Sequence, residues 1–257
     1  MDLTTGPARL LAVNHVGVSV QDMAAARRFW VEVLGAEEYG AFGWAVGTTP
    51  ADDSLGLLDT AADVLLLRTD AAFMELFAFS SPAPRARPAR RPGVSALTWA
   101  VSNVEGAVLA ARATGSPVTR PGVVECPDGT EVRLVPAGDG PRGLMGVEVL
   151  VEEPAAHVFA GVAGPVALTY VPGEALGGAP SPVDHGVNHL CLDVRGIEAI
   201  SAAATGVQWN HPVTESSGGA AAVRYGTTAD GVLVELLESR SDQAFLARCR
   251  LSHGHIP

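Results

Sequence analysis

The sequence predicts an α+β fold built from repeated units, each a strand, a helix and then further strands. Three observations carry this. The segment Asn14-His15-Val16-Gly17-Val18-Ser19-Val20 returns as Asn188-His189-Leu190-Cys191-Leu192-Asp193-Val194. Both copies alternate apolar and small or polar residues, the period of a strand with two different faces, and both lead into a helical stretch that a glycine ends. Each repeat then closes in an apolar strand with a carboxylate inside it, Phe73-Met74-Glu75-Leu76-Phe77 and Val232-Leu233-Val234-Glu235-Leu236.

Unit one spans 10–81. Its strand covers 13–20, and Asp22 is placed to cap a helix over 23–34, whose apolar stripe is Ala26, Phe29, Trp30, Val33 and Leu34. Gly35 ends that helix. Shorter strands are expected at 39–46, 55–57 and 64–67, and the glutamate strand at 73–79. A Pro/Ala/Arg linker follows over 82–92. Unit two spans 93–137, with a strand at 95–102, a helix at 104–114 stopped by Gly115, a turn at Pro127-Asp128-Gly129 and a strand at 131–135. Ala96 falls where His15 falls, and Arg133 where Glu75 falls, so this unit is metal-free.

Unit three is abbreviated and metal-free, spanning 143–172. It has strands at 144–151 and 165–171 around a short helix at 154–160. Gly146 or Val147 occupies the histidine region, and His157 sits on the helix. A Gly/Pro loop leads on to unit four, 185–239. There the strand is 187–194 and the helix 197–204, ended by Gly206. Middle strands fall at 208–212 and 220–225, and a turn at Asp230-Gly231 opens the glutamate strand at 232–237. A terminal helix is expected at 242–250. One such unit cannot bury its apolar sheet face alone, so the units must pack on each other.

Composition narrows the function. The chain has 257 residues, 47% of them hydrophobic, and no run of 18 apolar residues, so no membrane span is expected. The N-terminus has no basic region before an apolar one, which argues against secretion. All 17 basic residues are Arg, which removes lysine Schiff-base chemistry and lysine-anchored pyridoxal phosphate. The net charge is −11, and the one basic cluster, Arg85, Arg87, Arg90 and Arg91, lies in the linker, so no nucleic-acid partner is expected. Cys126, Cys191 and Cys249 share no metal-type spacing. A reduced, cytoplasmic protein is the simplest expectation.

The duplicated strand pair carries the chemistry. His15, Gly17 and Ser19 share one strand face, and His189, Cys191 and Asp193 match them. Glu75 lies between Met74 and Leu76, and Glu235 between Val234 and Leu236. A carboxylate in such a setting is costly unless it is paired, protonated or metal-bound. Alone, each histidine reads as a hydrogen-bonded structural residue and each glutamate as a solvent-facing one. The same pairing twice points to one shared site of His15, Glu75, His189 and Glu235. Two imidazoles and two carboxylates suit a divalent ion such as Zn, Ni, Co, Mn or Fe, and leave two places of a six-coordinate shell for water or substrate oxygens. His185, His211, His253 and His255 lack a partner motif. His211, after Trp209-Asn210 and before Pro212, fits either a pocket wall or an ordinary loop.

These motifs resemble the vicinal oxygen chelate superfamily, which includes glyoxalases, methylmalonyl-CoA epimerases, extradiol dioxygenases and fosfomycin or bleomycin resistance proteins. The resemblance rests on His15 followed by Phe29-Trp30 and Leu34-Gly35, on Asp230-Gly231 before Glu235-Leu236, and on Glu75-Leu76-Phe77 before Ser80-Ser81-Pro82. It covers nearly the whole chain and is weakest over 144–184. It implies tandem βαβββ units forming curled mixed sheets around a metal, with His15, Glu75, His189 and Glu235 at the metal positions. Because units two and three lack those residues, it further implies that unit one pairs with unit four and unit two with unit three.

The implied activity is a metal-dependent isomerase, epimerase or lyase acting on a small oxygenated metabolite that chelates through vicinal oxygens. Glu75 or Glu235 would move the proton. One alternative is an extradiol-type dioxygenase using Fe(II), with Tyr225 and His211 as supporting residues. The other is a ligand-sequestering resistance or binding protein. Arg224 and Arg133 would suit a glutathione or phosphate substrate. Trp44, Trp99 and Trp209 would suit an aromatic one, or belong to the core. The expected partner is a small molecule, and a homodimer is compatible with the chain.

Overall fold

The computed structural model describes residues 7–86, 91–154, 158–173, 180–216 and 221–239. Its strands are β1 (Arg9–Ser19), β2 (Glu37–Trp44), β3 (Ala61–Arg68), β4 (Phe73–Ser81), β5 (Gly93–Val101), β6 (Val118–Arg120), β7 (Val123–Glu125), β8 (Glu131–Pro136), β9 (Gly143–Val151), β10 (Ala167–Pro172), β11 (Gly186–Arg195), β12 (Val207–Trp209), β13 (Thr214–Glu215), β14 (Ala221–Thr228) and β15 (Leu233–Ser239). The helices are α1 (Met23–Arg27), α2 (Thr49–Leu55), α3 (Val104–Ala113) and α4 (Ile197–Ala203).

The strands form two open, mixed sheets, which makes this an α+β fold of repeated βαβ-type units. One has nine strands in the order β12-β14-β15-β11-β1-β4-β3-β2, with β13 on β14; the other has six, β10-β9-β5-β8-β7-β6. At the centre of the first, β1 and β11 run antiparallel, and each has a parallel neighbour, β4 beside β1 and β15 beside β11. The second sheet repeats the scheme, with β5 antiparallel to β9, β8 parallel to β5 and β10 parallel to β9.

One apolar core joins the sheets. Val16 and Val18 of β1, Leu190 and Leu192 of β11, Leu97 and Trp99 of β5 and Val147 and Val149 of β9 are all buried in it. The Trp30 and Trp99 rings lie 5.2 Å apart, and Trp99 Nε1 donates to the Leu34 carbonyl at 3.0 Å. Trp99 is therefore a core residue that ties the first helix to the second sheet, not a pocket wall.

The first helix departs from the expected regular helix over 23–34. Asp22 does cap it, accepting from the Ala25 amide at 3.0 Å. After α1 the chain widens into a π-helical segment, Arg28–Val33, in which the Leu34 amide reaches the Phe29 carbonyl at 3.1 Å. The wider turn lets the adjacent rings of Phe29 and Trp30 both enter the core, at 1% and 0% exposure.

The strand expected at 55–57 is not there. Thr49 to Leu55 form α2 instead, with proline in its first turn, Asp52 near its N-terminus and Gly56 as a left-handed cap at φ 65°. Those are helix-start and helix-stop residues, and they outweigh a three-residue apolar run. In unit two, β6 and β7 have three residues each, too short to show a period. The short helix expected at 154–160 lies partly outside the described residues, and its described remainder is mostly turn; the terminal helix expected at 242–250 lies wholly outside them. No helix among the described residues is long and apolar enough to cross a membrane.

Candidate metal centre

Strand register builds the centre. On β1 and β11, His15 faces Cys191 and Gly17 faces His189. β4 sets Glu75 opposite Gly17, and β15 sets Glu235 opposite Cys191. Two rows result, Glu75–Gly17–His189 and His15–Cys191–Glu235, related by the local two-fold between β1 and β11.

The four residues singled out in the sequence converge. The two imidazole Nε2 atoms are 3.0 Å apart. Glu235 Oε2 lies 3.1 Å from His15 Nε2 and 3.6 Å from His189 Nε2. Glu75 Oε2 lies 3.6 Å and 4.0 Å from the same atoms. Bonds of about 2.1 Å place neighbouring vertices of an octahedron about 3.0 Å apart and opposite ones about 4.2 Å apart, so these separations are those of ligands on one ion. Ligand atoms of His15, Glu75 and His189 all fall within 4.8 Å of one another, as do those of His15, Cys191 and Glu235. This His/Cys/Glu cluster is capable of chelating a divalent ion.

Each histidine is oriented by the asparagine before it. His15 Nδ1 meets Asn14 Oδ1 at 2.9 Å, and His189 Nδ1 meets Asn188 Oδ1 at 2.7 Å. Asn188 is itself fixed, its Nδ2 donating to Ser19 Oγ at 2.9 Å while Ser19 Oγ donates to the Pro182 carbonyl at 2.8 Å. With Nδ1–H given to an amide oxygen, each Nε2 turns a bare lone pair inward. Gly17 leaves room for this, since a Cβ there would stand 2.2 Å from the His189 ring.

The donor set fits a metal on its own evidence of need. Two imidazole Nε2 atoms and two carboxylates converge on one point. Glu235, 3% exposed, has an Oε2 with no hydrogen-bond partner among the described residues. Such an atom costs free energy unless a cation meets it. Burial would raise the Glu235 pKa, but the adjacent His15 and His189 imidazoles more than reverse this and hold it well below the ordinary range. Burial would likewise lower the His15 pKa, and Glu75 and Glu235 overcome it, leaving it raised.

Tyr225 stands directly across from Glu235 on β14, with its ring 5.7 Å from His189. Burial and the two carboxylates push its phenol pKa well up, so it faces the centre as a neutral donor. His211 lies behind it, its Nε2 accepting from the Tyr225 amide at 3.2 Å. Trp44 packs on Phe77 and Phe79, and Phe77 lies 5.9 Å from His189. Trp209 instead packs under Arg224, 4.8 Å away. A cavity of about 280 Å³ reaches His189 and is lined by Leu55, Leu57, Arg91, Asn210 and Leu233 among others. A larger one of about 610 Å³, near Arg68 and Arg142, includes none of the four convergent residues.

The second sheet shows what replaces the cluster. By the same register Ala96 stands for His15 and Gly146 for His189, Glu148 for Cys191, and Arg133 for Glu75. Arg133 binds Glu148 through both terminal nitrogens, at 2.6 Å and 2.9 Å, and Ser95 adds a bond to Glu148 at 2.9 Å. A guanidinium built into the chain supplies the cation there. Arg133 is thus spent on carboxylates rather than on a substrate anion.

Sequence reasoning passed over the roles of Asn14, Asn188 and Cys191. All three lie inside the repeated heptapeptide, and the recurrence of Asn before His was the available signal for the first two.

Residues 12–133 match the Glyoxalase/Bleomycin resistance protein/Dioxygenase superfamily. Over those residues, a little under half of the chain, the protein carries a domain of this superfamily. Among solved structures, glyoxalase I from Zea mays is 13% identical over 95% of this chain and 97% of its own, with a TM-score of 0.68. The cppA protein from Streptococcus pneumoniae TIGR4 is 10% identical over 90% of this chain and 99% of its own, at 0.54. Identities this low establish a shared fold. No curated protein matches the chain.

Proposed function

We propose that the protein is a metal-dependent enzyme that isomerises, epimerises or eliminates across a small metabolite bearing vicinal oxygens, with His15, Glu75, His189 and Glu235 as metal ligands. In this reading units one and four form the metal-bearing half and units two and three the metal-free half. The pairing of β1 with β11, and of β5 with β9, supports it. The single observation that carries the reading is the convergence of two imidazole Nε2 atoms and two carboxylates, with one buried oxygen left without a hydrogen-bond partner among the described residues.

A bound divalent ion would supply Lewis-acid polarisation of a substrate carbonyl, which acidifies the neighbouring C–H. The chain's own residues divide the remaining work. Asn14 and Asn188 hold the imidazoles in one tautomer. Glu235, with a side-chain exposure of 4%, lies close to both histidines and is packed under Tyr225 and Cys191. Glu75, at 13%, sits farther from both and faces Gly17 and Leu66, which offer no hydrogen-bonding side chain. The looser carboxylate is the one able to take up and return a proton, so Glu75 is assigned as the base. Phe77, two residues on from Glu75 in β4, packs against Trp44.

The test is a panel of small α-hydroxycarbonyl and catechol compounds given to metal-loaded protein in deuterated water. Deuterium is expected at the carbon beside the carbonyl, without oxygen uptake, and Glu75→Gln is expected to abolish it while retaining metal. Stoichiometric oxygen consumption that depends on Fe(II) would replace this reading with the dioxygenase one, in which Tyr225 and His211 would be the supporting residues. Ligand binding that persists after complete metal removal, with no turnover, would favour a sequestering protein.

A further inference from the structure

The two rows of the centre differ at one position. Glu75 stands opposite Gly17, and Glu235 opposite Cys191. Gly17 contributes no side chain. Cys191, at the matching place on β11, is fully buried and holds its Sγ within 4.8 Å of ligand atoms of both His15 and Glu235. Beside it lies Glu235 Oε2, buried and without a hydrogen-bond partner among the described residues. The thiol and the orphaned oxygen therefore belong to the same side of one cluster.

We infer that Cys191 is a fifth protein ligand, recruited by thiophilic divalent ions on the Glu235 side of the centre. The inference rests on the metal-centre reading above and adds to it a residue outside the two-histidine, two-glutamate set. Thiolate sulfur favours Zn, Co and Cd over Mn, which prefers oxygen and nitrogen, so the thiol makes the centre discriminate between classes of ion. On ligation the S–H bond breaks, the sulfur pair goes to the ion, and the proton passes to solvent. The same asymmetry makes the Glu235 side the anchored side and leaves the Glu75 side to exchange ligands.

The experiment uses the full chain, stripped of metal and reloaded separately with Co(II), Cd(II) and Mn(II). The Co(II) protein is expected to show a near-ultraviolet sulfur-to-cobalt charge-transfer band. That band disappears in Cys191→Ser and Cys191→Ala and persists in Cys126→Ser and Cys249→Ser. Cys191→Ser is expected to weaken Cd(II) by about 10-fold or more while leaving Mn(II) within about 2-fold. Cadmium magnetic resonance on the unmutated protein reports sulfur ligation directly, so the answer does not depend on the variants folding. A cobalt-loaded wild type without the band, or with a band unchanged by Cys191→Ser, overturns the inference and leaves the four-residue centre standing. A wild type that binds none of the three ions overturns both.

Discussion

The asparagines beside the histidines set the chemistry of the centre as firmly as the histidines do. Each accepts the Nδ1 proton and so turns Nε2 inward. Partners of this kind are worth about 10- to 100-fold in metal affinity. Asn188→Ala is therefore expected to weaken Mn(II) or Co(II) binding by about that factor, measured by titration of the stripped protein, with little loss of thermal stability. Unchanged affinity would show that the imidazoles are oriented by packing alone. Gly17→Ala is expected to do more, because the new Cβ meets the His189 ring and must displace it from the cluster. The convergence of the histidines and glutamates was legible in the sequence because two repeated strands carry the same polar residues at the same places. Cys191 was not, because a lone buried cysteine looks like core until its neighbours across the ladder are known.

At the scale of elements, two supports come from outside the element they hold. α4 begins at Gly196, which has no side chain to cap it, and Glu238 of β15 reaches over to bond the Gly196 and Ile197 amides at 2.6 Å and 3.0 Å. Losing a capping acceptor costs about 1 kcal/mol, and Glu238→Ala is expected to lower stability by that amount in denaturant melts. The Arg133–Glu148 pair ties β8 to β9 across β5. The Arg133 guanidinium outweighs burial and holds the Glu148 pKa below its ordinary 4.5. A depressed carboxylate stabilises the folded state above its unfolded pKa and loses that contribution as pH falls through the folded value. Glu148→Gln should thus melt below the wild type at pH 7, and the gap should close as the pH drops beneath about 4.5. A gap that is constant with pH would mean the pair adds nothing through charge.

Element type was readable wherever a period ran long enough. β1, β11, α3 and the glutamate strands all fall near their expected bounds. The misses have local causes. α2 was hidden by a three-residue apolar run beside strong capping residues. The π-helical segment was hidden because one extra residue per turn is set by where Phe29 and Trp30 must pack, a tertiary demand. β6 and β7 are too short to carry a pattern at all.

The described residues form two sheets joined by a shared apolar core, of which one gathers the His/Cys/Glu cluster and the other holds an ion pair in its place. The first therefore carries an electrostatic cost that a bound ion would relieve. A ligand bound only by the folded state, at 100 times its dissociation constant, stabilises by about 2.7 kcal/mol. In a chain of this size each kcal/mol moves Tm by about 2 to 4 °C. Chelator treatment is expected to lower Tm by about 5 to 10 °C, and removing Glu235 as Glu235→Gln should abolish that difference. An identical Tm with and without chelator would indicate that the cluster is stable empty.

The most direct test of the central claim is a crystal structure of the metal-loaded protein with anomalous scattering recorded at the edge of the bound ion. One anomalous peak is expected between β1 and β11, about 2.0 to 2.3 Å from His15 Nε2, His189 Nε2 and a carboxylate oxygen of each of Glu75 and Glu235. A fully loaded crystal whose anomalous peak lies elsewhere, with His15 and His189 bonded to each other's neighbours instead of to an ion, would contradict it.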